Sequence, residues 1–155
     1  MIEWYAIVKT FSYFGIFLAS LISSSTIFLP MPIYALIILA STTLGMNPFL
    51  VALSAAIGMS LGELTSYFMG LGGNVIFHKK KFIKSFNKFF KKYGFISIAI
   101  TAFLPFPFDI IGILAGMGRY EIKKFLIATF IGKFFKSLLI SLVGYGIREI
   151  VYWVY

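Results

Sequence analysis

The chain has 155 residues, of which 60% are hydrophobic and 12% are charged. A water-soluble core of this size cannot cover so much apolar surface, so the composition excludes an ordinary soluble domain and favours an integral membrane protein. The net charge of +9 points to anionic partners, and the absence of Cys excludes disulfides, thiolate metal sites and Cys nucleophiles.

In chain order, the first predicted element is a helical hairpin over residues 20 to 45, with Pro30 and Pro32 at its tip. Proline removes an intrahelical N–H, so two prolines separated by one residue end a helix. The hydroxyl groups between Ser20 and Thr26 make the first arm too polar to face lipid, which favours a re-entrant hairpin. An ordinary membrane span over residues 5 to 28 is the alternative.

The second element is residues 48 to 72, an apolar run of about the ~20 residues that a helix needs to cross a bilayer. Gly58, Gly62 and Gly70 recur at multiples of four residues within this run. Small residues at that spacing predict close packing against another helix.

A basic segment follows, with seven lysines between Lys79 and Lys92. The apolar side chains among these lysines share one face at the helical period, so residues 79 to 93 predict an amphipathic helix lying on the membrane surface. Anionic lipid head groups are the expected partners of the lysines. Nucleic acid is not an expected partner, because no RNA- or DNA-binding motif accompanies the charge.

The next segment, residues 95 to 118, carries Pro105 and Pro107, 75 residues after the first proline pair. Basic residues flank the segment on both sides and favour the cytoplasmic side for both ends. Each arm of about ten residues reaches about 15 Å, half of a bilayer core, so the segment predicts a second re-entrant hairpin. Residues 121 to 146 then form a second span.

The predicted fold is therefore all-α: two copies of a hairpin-plus-span unit, about residues 3 to 73 and 79 to 146, in one membrane domain covering residues 1 to 155. Because each unit crosses the membrane an odd number of times, the second unit has the opposite orientation in the membrane to the first. The two hairpins would then enter from opposite faces and meet near the midplane, where such paired interruptions mark transporter binding sites.

Charged side chains inside the membrane are costly, and they mark substrate or ion pathways. The pathway residues predicted on this ground are Glu63, Asp109, Lys133 and Lys136. We expect Asp109 to be the acid that pairs with Lys133. Structural ion pairing and lysines that snorkel to the interface are the alternatives. Arg119 is expected at the interface, where it anchors topology and contacts head groups.

Two sets of motifs carry a resemblance to a known family. The second half contains Leu104-Pro105-Phe106-Pro107-Phe108-Asp109, Ala115-Gly116-Met117, Phe125 and Gly132-Lys133. The first half contains Pro30-Met31-Pro32, Gly58, Gly62, Tyr67, Gly70 and Gly73. Together these motifs resemble the DedA superfamily, also called VTT-domain or SNARE-associated proteins. The family's acidic residue after the first proline pair is absent, with Tyr34 nearby, and two of its arginines are replaced by Ala102 and Phe108, which is closer to the YqaA-like branch.

The resemblance implies two opposed re-entrant hairpins and lipid translocation. Bacterial members are implicated in moving polyprenyl phosphates or phospholipids, often with proton dependence, and eukaryotic relatives scramble phospholipids. We therefore expect a multi-pass, non-enzymatic lipid flippase or scramblase of the cell membrane, without cofactor or metal, with the proton as its coupling ion if transport is coupled. A non-transporting membrane scaffold and a transporter of ions or small solutes are the alternatives. Lipid species, direction and homo-oligomerisation stay open.

Overall fold

The computed structural model describes residues 13–26, 32–72, 80–105 and 107–154, with the backbone alone over residues 80–91. These residues form helices joined by short connections and contain no strand, as predicted. In chain order the helices are α1 Tyr13–Ser25, α2 Ile33–Thr42, α3 Pro48–Gly62, α4 Leu64–Leu71, α5 Lys80–Phe103, α6 Phe108–Met117 and α7 Ile122–Val154.

Two stretches of helix are long and apolar enough to cross a membrane, and both coincide with the predicted spans. The first, Pro48–Leu71, has 24 residues and comprises α3 and α4; the second is α7, with 33 residues. Asn47 caps the first stretch, because its side-chain oxygen accepts hydrogen bonds from the N–H groups of Phe49 and Leu50. At a rise of 1.5 Å per residue α7 is about 50 Å long, so it extends beyond the ~30 Å hydrocarbon core.

The first span is interrupted at Glu63, which the sequence did not predict. Two hydroxyl groups bond to backbone carbonyls beside the break: Thr65 donates to the Gly62 oxygen at 2.9 Å and Ser66 donates to the Glu63 oxygen at 2.8 Å. Such bonds compete with the regular helical ladder and bend a helix. The break therefore separates α3 from α4 at the position of a charged residue.

The basic segment and the first arm of the second predicted hairpin are one helix, not two. α5 runs from Lys80 to Phe103 without interruption, whereas the sequence suggested a separate surface helix over residues 79 to 93. Gly94 marks that expected boundary, but a glycine inside a helix costs only about 1 kcal/mol relative to alanine. Continuous hydrogen bonding is therefore retained through Gly94.

A proline directly precedes each of the two 10-residue helices, α2 and α6. Pro32 lies before α2 and Pro107 before α6, and each proline ends the connection from the preceding helix. Pro30 lies outside the described residues. The described part of residues 5 to 28 contains α1, which begins before the predicted hairpin start at residue 20 and lies within the alternative span. The residues before Tyr13 lie outside the described part, so the two layouts remain alternatives.

The helices of the two halves exchange partners. Within the described residues, each half begins with two helices that flank a proline pair, α1 and α2 in the first half and α5 and α6 in the second. The first helix of each pair packs on the long helix of its own half, α1 on α3 and α5 on α7. The second helix packs on the long stretch of the other half, α2 on α7 and α6 on α4, and α3 also packs on α7. The halves are therefore interlocked rather than adjacent.

Glycines make this exchange close enough for backbone contact. A Cβ at Gly70 of α4 would overlap the Ile113 carbonyl of α6, and a Cβ at Gly144 of α7 would lie 2.9 Å from the Ile38 carbonyl of α2. Ile38 and Ile113 are 75 residues apart, the same offset as the proline pairs. The two exchanged contacts thus involve isoleucines at the same spacing as the proline pairs.

Two apolar clusters form the core. The first joins α1, α2 and α3 through residues such as Ile16, Ile37 and Val51. The second joins α4, α5, α6 and α7, with Tyr67 and Phe125 at its centre. Side chains of both clusters border one polar cavity, which is the candidate site.

Candidate functional site

A cavity of about 420 Å³ lies where six of the helices meet, beside Pro105 and Pro107. Its polar lining consists of Ser23, Ser24, Thr26, Tyr34, Glu63, Asp109, Lys133 and Lys136. The structure therefore brings together the four charged residues that the sequence predicted inside the membrane. Arg119 is exposed in the connection between α6 and α7 and does not line the cavity.

The strongest interaction in the cavity wall is a buried ion pair between the two long stretches. The Lys133 ammonium donates to Glu63 Oε1 at 2.8 Å, and the two side chains are only 8% and 5% exposed. The ammonium also lies 5.0 Å from the centre of the Phe108 ring, within reach of a cation–π interaction. Helix α7 is thereby fixed to the break between α3 and α4.

The other carboxylate oxygen of this pair, Glu63 Oε2, is buried and has no hydrogen-bond partner among the described residues. Buried polar atoms are nearly always hydrogen-bonded, so an unpaired carboxylate oxygen is exceptional. Glu63 itself lines the cavity. The unpaired acceptor therefore belongs to a residue of the cavity wall.

The prediction that Asp109 is the acid that pairs with Lys133 is wrong. Among the described residues, Lys133 forms its salt bridge with Glu63, and Asp109 forms none. Asp109 is half-buried in the first turn of α6 and interacts electrostatically with Lys133. The sequence places Asp109 beside the prolines, but the rotation of α6 determines which acid reaches the lysine.

Lys136 holds the interrupted backbone of the second proline pair. Its ammonium donates to the Leu104 carbonyl at 3.2 Å and lies 4.6 Å from the centre of the Tyr34 ring. Helix α5 ends at Phe103, and carbonyls at the C-terminal end of a helix lack intrahelical N–H donors. Lys136 supplies a donor to this region from one helix turn beyond Lys133.

Tyr34 and Asp109 hold matching positions after the two proline pairs. The two residues are 75 positions apart, each lies two residues after a proline that precedes a short helix, and both line the cavity. An aromatic hydroxyl after one proline pair and a carboxylate after the other make the cavity chemically asymmetric. The repeat itself was the signal that could have identified Tyr34 as a lining residue.

The remaining predicted residues belong to the scaffold. Gly58 and Gly62 face the backbone of α1, and Gly70 faces that of α6. Pro105 and Pro107 line the cavity. Pro32 does not line it; its carbonyl accepts the N–H groups of the first turn of α2.

Two acids and two lysines give the cavity zero net charge when all four are ionised. Lysine ammonium groups and hydroxyls are donors, so the lining can accept a phosphate-bearing group while carboxylates balance the charge. The described residues contain no cluster of three or more His, Cys, Asp or Glu side chains that could hold a metal ion. The ammonium groups, hydroxyls and carboxylates of the lining provide ionic recognition.

Comparison with known proteins matches the VTT domain to residues 29–146 of the chain. An uncharacterised protein of Methanocaldococcus jannaschii is 29% identical over 141 residues, which cover 88% of this chain and 86% of that protein. Two proteins of Lactococcus lactis, both named alkaline phosphatase-like protein, are 28% and 27% identical over 162 residues, covering 92% of this chain and 74% of each relative. No solved structure shows significant similarity.

Proposed function

The chain belongs to the VTT-domain family, whose members are membrane-associated and generally non-enzymatic, and from this premise we propose that it moves amphipathic lipids between the leaflets of the cell membrane as a multi-pass flippase or scramblase. The candidate cargo is a phospholipid or a polyprenyl phosphate. The observation that carries the proposal is the charged, hydroxyl-lined cavity beside the interrupted helices. A water-filled or polar cavity is where irregular backbone is tolerated at membrane depth.

The proposed arrangement in the membrane is a pair of opposed re-entrant hairpins. Helices α2 and α6 have 10 residues each, so each is about 15 Å long and cannot cross a ~30 Å core. The exchange of partners between halves supports a twofold relation between the two copies. An in-plane twofold axis would bring the interrupted segments together near the midplane, as in other transporters built from inverted repeats.

In this mechanism a lipid phosphate enters the cavity and competes for Lys136. The ammonium of Lys136 is held by one neutral carbonyl at 3.2 Å, and a charge-assisted bond to phosphate is stronger than a bond to a neutral acceptor. Lys133 is less available, because Glu63 already neutralises it. Hydrocarbon chains stay in the bilayer while the head group crosses through the cavity.

Charge balance suggests how a proton could be coupled to this movement. A lipid phosphate with one negative charge changes the cavity from zero to −1 if all four side chains remain ionised. Protonation of Asp109, the half-buried acid without a salt bridge, restores neutrality. We propose Asp109 as the group that carries the proton, and lysines between Lys79 and Lys92 as the site that holds anionic head groups at the membrane surface.

The test is translocation of head-group-labelled phospholipid and polyprenyl phosphate in liposomes containing the purified chain. Wild-type protein should accelerate exchange between leaflets, and Lys136→Met should slow it by about tenfold, equivalent to ~1.4 kcal/mol, while Lys136→Arg retains most of the rate. Lys124→Met is the matched control, because Lys124 is on the same helix but exposed.

Two results would contradict the proposal. If liposomes with wild-type protein match empty liposomes for both lipids, with and without a proton gradient, the chain is not a lipid translocator and the scaffold interpretation replaces it. If Lys136→Met and Lys124→Met have the same rate as wild type, the cavity is not the pathway.

A further inference from the structure

A second cavity, of about 450 Å³, lies between α5 and α7 next to the polar one. Its walls include Ile100 and Phe103 from α5 and Ile131, Phe135 and Leu139 from α7, and its lining is apolar. We name this cavity the apolar groove. Neither the proposed pathway nor the packing of the core uses it.

Close approach of the two helices forms the floor of the groove. Gly132 has no side chain, and a Cβ there would overlap the Ala99 carbonyl of α5. On both sides of this contact large side chains stand away from the floor, and Ile100, Phe135 and Leu139 are each more than half exposed. The result is an open channel with a backbone floor and hydrocarbon walls.

The groove and the polar cavity share a boundary made of neighbouring residues in the chain. On α7, Gly132 lines the groove and Lys133 lines the polar cavity, and Phe135 and Lys136 are divided in the same way. Phe103 of α5 lines the groove, whereas the next residue lines the polar cavity. A molecule with a charged end and an apolar chain can therefore occupy both sites at once.

We propose that the apolar groove holds a hydrocarbon chain of the same lipid whose phosphate occupies the polar cavity, and this inference rests on the proposed translocation. The groove extends along α7 from Ile131 to Leu139, about 12 Å at the helical rise of 1.5 Å per residue. That length suits a segment of one chain better than the paired tails of a whole phospholipid.

Within a bilayer the groove has little hydrophobic driving force, because lipid tails are as apolar as its walls. Its role is to orient the lipid, so that the chain leaves sideways where α5 ends and the head group remains beside Lys136. Two results are therefore expected. Blocking the groove should change the translocation rate, and occupancy of the groove by a hydrocarbon chain should depend on head-group binding in the polar cavity.

Cross-linking tests occupancy directly. Lipids with a photoactivatable diazirine in the chain, either an anionic phospholipid or a polyprenyl phosphate, should label Phe135 and Leu139 in wild-type protein. Lys136→Met should reduce that labelling severalfold and leave labelling of the lipid-facing Val143 unchanged. Bulk lipid filling the groove would label all three residues independently of Lys136, and that result would overturn the proposal. The two lipid probes distinguish phospholipid from polyprenyl phosphate as the source of the chain.

Filling the groove tests its contribution to the rate. Ile100→Trp and Leu139→Trp should slow translocation by about tenfold, equivalent to about 1.4 kcal/mol, because the larger side chain would occupy the space that the hydrocarbon chain needs. Ile127→Trp and Val143→Trp are the matched controls, because these residues are similarly exposed on α7 but lie outside the groove. Circular dichroism and detergent gel filtration verify that each variant folds.

The outcomes separate this inference from the proposed function. Absence of translocation by wild-type protein refutes the function itself. If wild type translocates lipid and both filling variants do so at the same rate, the proposed role of the groove is refuted and the proposed function is not. Equal slowing by the filling variants and the two controls also refutes the groove, because the effect would then come from tryptophan at the lipid surface.

Discussion

The ion pair between Glu63 and Lys133 gives the sharpest quantitative prediction. With the charged atoms 2.8 Å apart, the Coulomb attraction at an effective dielectric constant of about 20 is about 6 kcal/mol. Desolvation of two side chains that are over nine-tenths buried opposes most of that attraction. The pair therefore contributes little net stability, but either member alone is a buried charge without its partner.

Breaking the pair should lower the free energy of unfolding by roughly 3–5 kcal/mol in Lys133→Met or in Glu63→Gln. The double variant should lose less than either single variant, since no uncompensated member of the pair remains. The coupling energy from the double-mutant cycle is then several kcal/mol. Reversible unfolding by SDS in mixed micelles, followed by circular dichroism, measures all four proteins.

Glu121 and Lys124 provide the matched control pair. They are also in contact, at 2.7 Å, but their side chains are 53% and 59% exposed, so water screens them. Lys124→Met should leave unfolding unchanged within error. Additive losses for Glu63→Gln and Lys133→Met, with a coupling below about 0.5 kcal/mol, would refute the reasoning that burial makes each charge depend on the other.

Three further predictions concern the half-buried acid, packing and topology. Asp109→Asn should destabilise less than Glu63→Gln in the same unfolding assay, because Asp109 has no salt bridge among the described residues. The same variant should flatten the pH dependence of translocation, and an unchanged pH profile would show that Asp109 does not carry the proton. Gly144→Leu should destabilise the fold by about 1–3 kcal/mol or more, because its side chain would enter α2. Gly146→Leu should be neutral, because nothing lies within 4 Å of its Cβ position, and equal losses in the two variants would contradict the packing argument. Cysteines introduced singly at Gly118 and at Thr43 should react with an impermeant thiol reagent from opposite sides of the membrane, and labelling from the same side would replace the opposed hairpins with another layout.

Much of the fold follows from sequence because the bilayer restricts what a chain can do. Apolar length alone located both long stretches, and proline chemistry located the starts of α2 and α6. The cost of a charge in hydrocarbon selected the four charged residues that line the cavity. These are properties of single residues or short segments, so no knowledge of packing was required.

The partner of Lys133 could not be derived in that way. Asp109 and Glu63 lie on different helices, and the rotation of each helix about its axis decides which carboxylate reaches the ammonium. The apolar groove has the same origin, because it exists only where Gly132 lets α5 and α7 approach. The continuity of α5 was also missed, because a change from basic to apolar composition does not by itself end a helix.

The exchange of helices between the halves has a consequence for biogenesis. Ser41 of α2 is fully buried and bonds to Ser141 of α7 at 2.6 Å, and the two residues are 100 positions apart in sequence. At a synthesis rate of about 5–20 residues per second, the ribosome takes roughly 5 to 20 s to make the intervening chain. Helix α2 can therefore reach its native packing only after α7 has been made. The first half of the chain must wait for the last helix before the fold is complete.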